Sequence, residues 1–441
     1  MKGYRKTIKL DKGIRNSLSS PDNDAFLYKA LGVRIGDRGL ELIPAMTLPI
    51  SGLTIDHPLP QLLELQQKTL LVEATSLKLV NADWSTTSLA TLTEGSLAHV
   101  ADFGKYVIFT NGTETYHCDV STGVFSAASS VTFPNMKTLC RLQGRIFGGN
   151  IMNSFYDCDT HFACWSQPGE NVFVPDEKNL AGFRDMEIGT IYKCLPLGTD
   201  SVIYYGSKGV ARLFQTEAGI GYKLVAKTRI CGREAVCGGD YHVFCDTEGR
   251  LWTIDQEGIN LLDYSWVLGN MTLSDVVISR DAVLKDYYIS DGTSCYLLSA
   301  NGLSESNNLV TNVVRIEGLL YGIFTVGVNA FIEIHFNNFN YNLAALTSLE
   351  YIELGLMTDG SPYVADLLQY RGRSDVSLSW RFVSKENFGV LQGTAQTHRP
   401  KLKVTTATEF KLEFITLNIK LDDNRINNQL QTISEGSWNV S

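Results

Sequence analysis

The 441-residue sequence has almost no hydrophobic periodicity of the helical kind and no long apolar run. Only the stretch Gln61 to Gln67 favours a short helix. No run approaches the roughly 20 apolar residues that a membrane-spanning helix needs. The first residues also lack the apolar core of a signal peptide. We therefore expect a chain that is synthesised in the cytoplasm and has no membrane span.

The sequence motifs of common enzymes are missing as well. There is no G-x-S-x-G elbow and no H-E-x-x-H pair, and the seven histidines are scattered singly. We therefore expect no enzymatic activity and no cofactor. Positive charge is also scarce: 38 basic against 47 acidic residues give a net charge of −9, which argues against a general attraction to nucleic-acid phosphates.

The nine cysteines contain no C-x-x-C pair, and most of them lie inside apolar runs. This pattern is typical of buried free thiols in a reducing compartment. Cys158, His161 and Cys164 have a spacing that is compatible with zinc, but a structural site needs four ligands and no second pair is evident. We therefore expect no metal site.

The sequence repeats one kind of segment several times. In the clearest copy, Tyr241 to Asp255, two short aromatic and β-branched runs flank the turn Asp246 to Gly249, which is the pattern of a β-hairpin. Similar segments are Tyr106–Asp119, Val202–Thr216 and Asp286–Gly302. The turn glycines Gly209 and Gly249 are 40 residues apart, and Gly292 follows after 43.

A period of about 40 to 50 residues, with hairpins in each unit, is typical of β-propeller blades. The sequence therefore predicts an all-β protein with a β-propeller of six or seven blades over residues 61–340. An arm and linker, residues 1–60, precedes it. Alternating strands predict a β-sandwich over 345–425, and an exposed tail follows at 426–441. The alternative is one large sandwich, or a pair of them, because sandwiches also repeat hairpins.

Acidic and aromatic residues are the features on which an enzymatic alternative would depend, because a propeller glycosidase needs two carboxylates close together. The candidate carboxylates are Asp157, Asp159, Asp246 and Asp291. Each lies in a predicted turn, where aspartate bonds its own backbone, so we interpret them as turn formers. Trp165, Trp252 and Trp380 fall in strand runs and are interpreted as core residues rather than as a sugar-stacking platform.

The first fifteen residues are basic, with only Asp11 of opposite charge. Their alternation allows a strand or an extended arm. The segment is either a solvated tail or an arm that lies on an acidic neighbouring surface. The second interpretation makes a candidate protein interface of Lys2, Arg5, Lys6, Lys9, Lys12 and Arg15.

Several stretches together resemble one family. They are the basic opening with GIRNS at Gly13–Ser17, RLQGRIFGG at Arg141–Gly149, the hairpin units above, and TEFKLEFITLNIKLDD near the end. This combination is similar to the tail hub or nozzle proteins of short-tailed bacteriophages, also called packaged-DNA stabilisation proteins. The resemblance covers most of the chain through a diffuse pattern rather than through one invariant motif.

The resemblance implies a virion protein that forms a ring of about six copies in the tail. Such a ring would sit below the portal and adaptor, dock fibres or spikes, and hold and conduct the packaged double-stranded DNA. It implies no catalytic residue. Two other functions stay open: a cytoplasmic propeller that acts as a protein-binding adaptor, and a carbohydrate-active propeller enzyme.

Overall fold

The protein is described from a computed structural model. The structure describes residues 3–10, 12–14, 27–44, 46, 53, 61–65, 68–73, 76–91, 99–103, 106–119, 124–127, 133–153, 155–176, 180–217, 219–262, 264–316, 318–326, 332–336, 347–357, 364–371, 376–383, 388–390, 394–395, 398–404 and 411–421. The chain divides into two compact units. Unit 1 comprises residues 1–44, 296–308 and 328–441, and unit 2 comprises residues 45–295 and 309–327. The predicted tail 426–441 lies outside the described residues.

Strands are numbered along the chain, and the first four belong to unit 1. They are β1 (Gly3–Lys9), β2 (Leu27–Leu31), β3 (Val33–Gly36) and β4 (Gly39–Leu42). Strands β3 and β4 pair antiparallel around the turn Asp37-Arg38. This hairpin is the short strand pair that a glycine between two apolar runs indicates.

Unit 2 contains five successive four-stranded antiparallel sheets in the described part of the chain, each a simple meander. Sheet 1 is β5 (Gln61–Leu65), β6 (Lys68–Val72), β7 (Ser76–Val80) and β8 (Thr86–Thr91); sheet 2 is β9 (His99–Phe103), β10 (Tyr106–Thr110), β11 (Thr115–Asp119) and β12 (Val124–Ala127). Sheet 3 is β13 (Met136–Leu142), β14 (Arg145–Ile151), β15 (Phe162–Trp165) and β16 (Gly182–Asp185). Sheet 4 is β17 (Ile191–Leu197), β18 (Ser201–Gly206), β19 (Val210–Thr216) and β20 (Gly219–Ala226), and sheet 5 is β21 (Val236–Cys237), β22 (His242–Cys245), β23 (Leu251–Ile254) and β24 (Ile259–Leu262).

Three strand pairs follow these sheets along the chain. They are β25 (Val277–Arg280) with β26 (Tyr287–Ser290), β27 (Cys295–Ser299) with β28 (Gly302–Glu305), and β29 (Leu309–Ile316) with β30 (Leu319–Val326). Helical structure in the described residues is limited to α1 (Ser265–Leu268) and short 3-10 turns at Phe155–Asp157 and Leu273–Asp275. Among these residues no helix is long and apolar enough to cross a membrane.

Unit 1 is completed by eight further strands. They are β31 (Ile332–Phe336), β32 (Thr347–Met357), β33 (Val364–Arg371), β34 (Val376–Val383), β35 (Phe388–Val390), β36 (Thr394–Ala395), β37 (His398–Val404) and β38 (Lys411–Leu421). One run of paired strands within this unit is β28-β2-β31-β37-β33-β34. A second sheet has the order β3-β4-β38-β32-β35, with β1 also on β38 and β36 also on β32. The prediction of a nearly all-β chain is therefore confirmed.

The turn signals in the sequence place the hairpins correctly. At Asn111-Gly112 the Asn111 side-chain oxygen accepts hydrogen bonds from the backbone N–H groups of Thr113 (2.9 Å) and Glu114 (2.8 Å). Gly112 has φ +89, a left-handed conformation that favours glycine. Asn and Asp are common before such glycines because their short side chains satisfy the turn backbone.

Each sheet of unit 2 buries its faces against its neighbours along the chain. Phe109 of sheet 2 packs on Leu70 and Val72 of sheet 1. Tyr205 of sheet 4 meets Phe244 of sheet 5 with ring centroids 5.4 Å apart. Because a single four-stranded sheet cannot cover both of its faces, these contacts between successive sheets supply the core.

The last strand pair of unit 2 also contacts the first sheet. Strand β29 lies against both β25 and β5. Its residue Val314 packs on the cluster that contains Leu62 and Leu71. The rings of Trp84 and Tyr321 are 4.8 Å apart. Sheet 1 therefore contacts sheet 2, which follows it, and also the last strand pair of unit 2.

The short helix expected at Gln61 to Gln67 is wrong. Residues Gln61–Leu65 form β5, which pairs antiparallel with Lys68–Val72, and Leu62 is buried. A segment of this length gains little from helical hydrogen bonds because helix nucleation is costly. Pairing with the next strand satisfies the same backbone groups and buries a leucine, so the tertiary context decides.

Buried His242 makes stability dependent on pH. Its Nε2–H donates to the Pro196 carbonyl (2.8 Å), and its Nδ1 accepts from the Tyr205 hydroxyl (2.8 Å). Burial lowers the pKa of His242 from 6.5 to about 4. Because the folded pKa lies below the unfolded one, we expect full stability above pH 6.5 and a loss on the order of 3 kcal/mol as the pH falls towards 4.

Urea unfolding at several pH values measures this effect. The substitution His242→Gln should flatten the profile between pH 6.5 and 5, whereas His161→Gln, at an exposed histidine, should leave it unchanged. An unaltered slope in His242→Gln would contradict the assignment.

Candidate functional site

A row of basic residues follows one edge of the second sheet of unit 1. Strand β38 pairs with β32 on one side; on the other it pairs with β4 at residues 411–412 and with β1 at residues 414–420. Strands β4 and β1 therefore lie end to end along the same edge of β38. We call Lys9, Lys12, Arg34, Arg38 and Lys411 the basic edge.

The β3–β4 hairpin and the start of β38 enclose a charged cleft of about 290 Å³. It is lined by Arg34, Asp37, Arg38, Glu41 and Lys411. Arg34 Nη1 donates to Glu41 Oε2 at 2.6 Å. The cleft thus carries three cations and two carboxylates; Arg34 is paired with Glu41, and Lys411 Nζ lies 3.5 Å from Glu413 Oε1.

Glycine allows the hairpin to approach β38 closely at this point. Gly39 has φ +126, and a Cβ atom built on it would lie 2.3 Å from the Leu412 carbonyl oxygen. Only glycine fits both the conformation and the space. Across the hairpin, Asn301 donates to the Gly36 carbonyl (3.1 Å) and to Asp37 Oδ1 (3.2 Å), which holds the turn in place.

The arrangement is suited to binding rather than to bond cleavage. It contains guanidinium and ammonium groups, which bind carboxylates, and no cysteine, serine or histidine that could act as a nucleophile or base lines the cleft. Among the described residues β1 pairs only with β38, so no described strand covers its second edge. Such an edge can accept a strand from another chain.

The sequence-predicted interface residues fall partly on this edge. Lys9 and Lys12 are exposed. Arg5 and Lys6 lie on β1, but their side chains are outside the described part, as are Lys2 and Arg15 altogether. The sequence analysis missed the three basic residues of the cleft, Arg34, Arg38 and Lys411; the two arginines beside the Gly39 turn were the available signal.

Three of the four candidate carboxylates accept hydrogen bonds from their own turns, as the sequence predicts. Asp246 Oδ1 accepts from the backbone of Glu248 and Arg250, both at 2.9 Å. Asp291 and Asp159 bond the backbone N–H two residues on in the same way, at 2.9 and 2.8 Å. The remaining candidate, Asp157, is exposed in the 3-10 turn of sheet 3.

The spaced cysteines of sheet 3 lie in an apolar core cluster, whereas the histidine between them does not. Cys158 and Cys164 are buried in this cluster, and Cys164 Sγ lies 3.3 Å from Met136 Sδ. Burial, followed by Asp159 and Asp157, raises the pKa of Cys158 to about 11. His161 is exposed beside Asp159, at 3.5 Å. No group of three His, Cys, Asp or Glu in the described residues is placed to hold a metal ion.

Two of the three predicted core tryptophans have described side chains. Trp165 and Trp252 are partly buried against core clusters, and each ring N–H has an acceptor, Leu180 O at 3.1 Å and Asp246 Oδ2 at 2.8 Å. Both serve the core, as predicted. The Trp380 side chain lies outside the described part. None of the eight cysteines with described side chains forms a disulfide, and six of them are buried.

Comparison with known proteins gives a likeness of fold at low similarity. No protein-family model matches the chain, and no curated protein matches it. A quinoprotein alcohol dehydrogenase-like protein of Bacteroides thetaiotaomicron is 10% identical over 60% of this chain and 66% of its own, with a TM-score of 0.36. The extracellular domain of a one-component system of the same organism is 10% identical over 76% of this chain and 46% of its own, with a TM-score of 0.45.

A third structure, apo AztD of Citrobacter koseri, is 10% identical over 62% of this chain and 82% of its own, with a TM-score of 0.40. The chain thus spans just under two thirds of the first of these proteins and less than half of the second. At such values the likenesses decide neither the family nor the function of the chain.

Proposed function

We propose that the chain is a structural subunit that assembles with about six copies of itself into the hub or nozzle ring of a short-tailed phage tail. The observation that carries this proposal is the basic edge: β1 lies on β38 with its second edge unpaired among the described residues, and Lys9 is exposed beside it. An unpaired strand edge is prone to pair with other chains unless charged side chains or a specific neighbour protect it. A permanent neighbouring subunit meets that need.

We further propose that the sheets of unit 2 close into a seven-bladed β-propeller, with the strands of unit 1 packed as a sandwich. The contacts of β29 with both β25 and β5 support the closure. So does the packing of Trp84 on Tyr321. In this arrangement the β29–β30 pair is the seventh blade, within the range of six or seven that the hairpin period predicts.

The proposed role works through shape and charge. Carboxylates such as Asp246 and Asp291 bond their own turns, which suits a scaffold whose function lies in its interfaces. A net charge of −9 suits a conduit, because each captured phosphate would oppose the movement of DNA. In this role the chain would be part of the virion, in contact with a portal–adaptor complex on one side and with fibres or spikes on the other.

The test is assembly. We expect light scattering and electron microscopy of the full chain, alone and with a purified portal–adaptor complex, to show closed rings of about six copies. A chain that stays monomeric in both settings would contradict the proposal. So would sugar hydrolysis by the monomer, which would favour the carbohydrate-active alternative.

A further inference from the structure

An exposed aromatic group stands out on sheet 3. The Tyr156 side chain is 50% exposed, next to an apolar cluster that includes Phe155 and has Phe183 packed against it. Its ring lies 5.5 Å from the ring of Phe183, and Phe155 lies beneath both, at 4.9 Å from Tyr156 and 6.4 Å from Phe183. Tyrosine presented on a rigid apolar base is typical of the anchor residues of protein interfaces.

Acidic residues surround this tyrosine. Asp157, Asp159, Asp185 and Glu187 are all exposed. Asp159 and Asp185 are fixed by their own backbone, accepting from His161 N (2.8 Å) and Glu187 N (2.9 Å). We call these four residues together with Tyr156 the sheet 3 patch.

These carboxylates contribute to the raised pKa of two neighbouring groups. After burial, Asp159 and Asp157 are the charges that raise the pKa of Cys158. Burial and then Glu187 raise the pKa of Tyr222. Carboxylates therefore lie at both ends of the patch, and Arg184, whose guanidinium lies 4.3 Å from the centroid of the Tyr222 ring, is a cation beside them.

We propose that the sheet 3 patch of one copy binds the basic edge of a second copy of this chain. The proposal rests on the ring proposed above and identifies its subunit contact. Charge complementarity favours a second copy of the chain as the partner of the acidic sheet 3 patch. Although the net charge of the chain is −9, its first fifteen residues hold six basic side chains and one acidic one. Of the basic edge, Lys9, Lys12 and Arg38 are exposed.

The proposed contact between two copies is also compatible with a closed ring. Two different surfaces that complement one another make a head-to-tail contact, and repetition of such a contact with a closing rotation gives a ring. In that contact Tyr156 would supply the desolvated centre, and the carboxylates would form a salt-sensitive rim.

Charge reversal tests the rim. In the setting in which the full chain forms rings, the double substitution Asp159→Lys with Glu187→Lys should raise the concentration for half-assembly by about tenfold or more. Lys9→Glu with Arg38→Glu should have a similar effect. Mixing the two variants should restore assembly, because each supplies one complementary surface. Glu257→Lys, at an exposed acid of sheet 5, is the matched control and should have no effect.

Removal of the tyrosine ring tests the anchor. Tyr156 has φ +48, a left-handed conformation that asparagine adopts more readily than tyrosine. Tyr156→Asn should therefore keep or raise the melting temperature while it weakens assembly by roughly 10- to 30-fold. Leu261→Asn, at another exposed apolar residue, is the control. Weaker assembly together with a lower melting temperature would assign Tyr156 to folding rather than to the contact.

Cross-linking locates the contact directly. A carbodiimide that joins amines to carboxylates, applied to rings mixed from 15N-labelled and unlabelled chains, should link Lys9 or Lys12 to the sheet 3 patch between chains. Rings in which both reversal variants assemble normally, or cross-links confined to other surfaces, would overturn this contact and leave the ring function standing. The absence of any ring would overturn both.

Discussion

Replacing Asp246 by alanine is expected to lower the free energy of unfolding by about 3–5 kcal/mol. The side chain is 1% exposed and accepts from five donors. Besides the two backbone groups of its turn, they are Arg250 Nε (2.7 Å), Trp252 Nε1 (2.8 Å) and Thr228 Oγ1 (3.1 Å). Alanine would leave all of these donors without their acceptor at the turn between β22 and β23.

The pH dependence of the free energy of unfolding gives an independent check on Asp246. Burial raises the pKa of Asp246, but the hydrogen bonds from Trp252 and Arg250 outweigh it, so the folded pKa lies below 3.8. Its contribution to stability is therefore complete above the unfolded pKa and is lost as the pH falls through the folded pKa.

Guanidinium unfolding of Asp246→Ala measures the loss. Asp255→Ala is the matched control, since Asp255 bonds the next turn of the same sheet through Glu257 N and Gly258 N but without a charged partner. It should cost about 1 kcal/mol. Similar losses in both variants would show that the charged network adds nothing to the turn.

The second large effect is expected at Arg315. Its guanidinium donates through Nε to Asp281 Oδ1 (2.8 Å) and through Nη2 to Asp281 Oδ2 (2.6 Å), and Asp281 is fully buried. The pair joins β29 to the loop after β25. Arg315→Met should destabilise unit 2 by about 3–5 kcal/mol, because it leaves a buried carboxylate without its cation.

A double variant separates the pair from its surroundings. Asp281→Leu with Arg315→Met should recover much of the stability, because paired apolar replacements remove the desolvation cost together with the attraction. Arg212→Met, which breaks the more exposed pair with Asp200 (3.4 Å), should cost at most about 1 kcal/mol. Equal losses from Arg212→Met and Arg315→Met in thermal unfolding would contradict this account.

Local features of the fold could be predicted from the sequence because they depend on adjacent residues. The hairpins around Asn111-Gly112 and Asp246 to Gly249 follow from turn chemistry and from the alternation of the flanking runs. The strand at residues 411–421 follows from its period of two. The strand Gln61–Leu65 could not be predicted, since its partner rather than its own composition decides its conformation.

The candidate site was predictable only in part. The basic character of Lys9 and Lys12 is visible in the sequence, but the cleft depends on the pairing of Lys411 with Glu41, which lie 370 residues apart. Nothing in the local pattern of either segment indicates that pairing. The exposure of Tyr156 was equally invisible, because Phe155 beside it has the same aromatic character and is buried.

The antiparallel pairing of residues 3–9 with residues 414–420 also has a consequence for synthesis. The first strand leaves the ribosome long before its partner exists and must wait until translation has passed Leu421. A polypeptide released before residue 411 would lack β38, and β1 and β4 would then have no common partner strand.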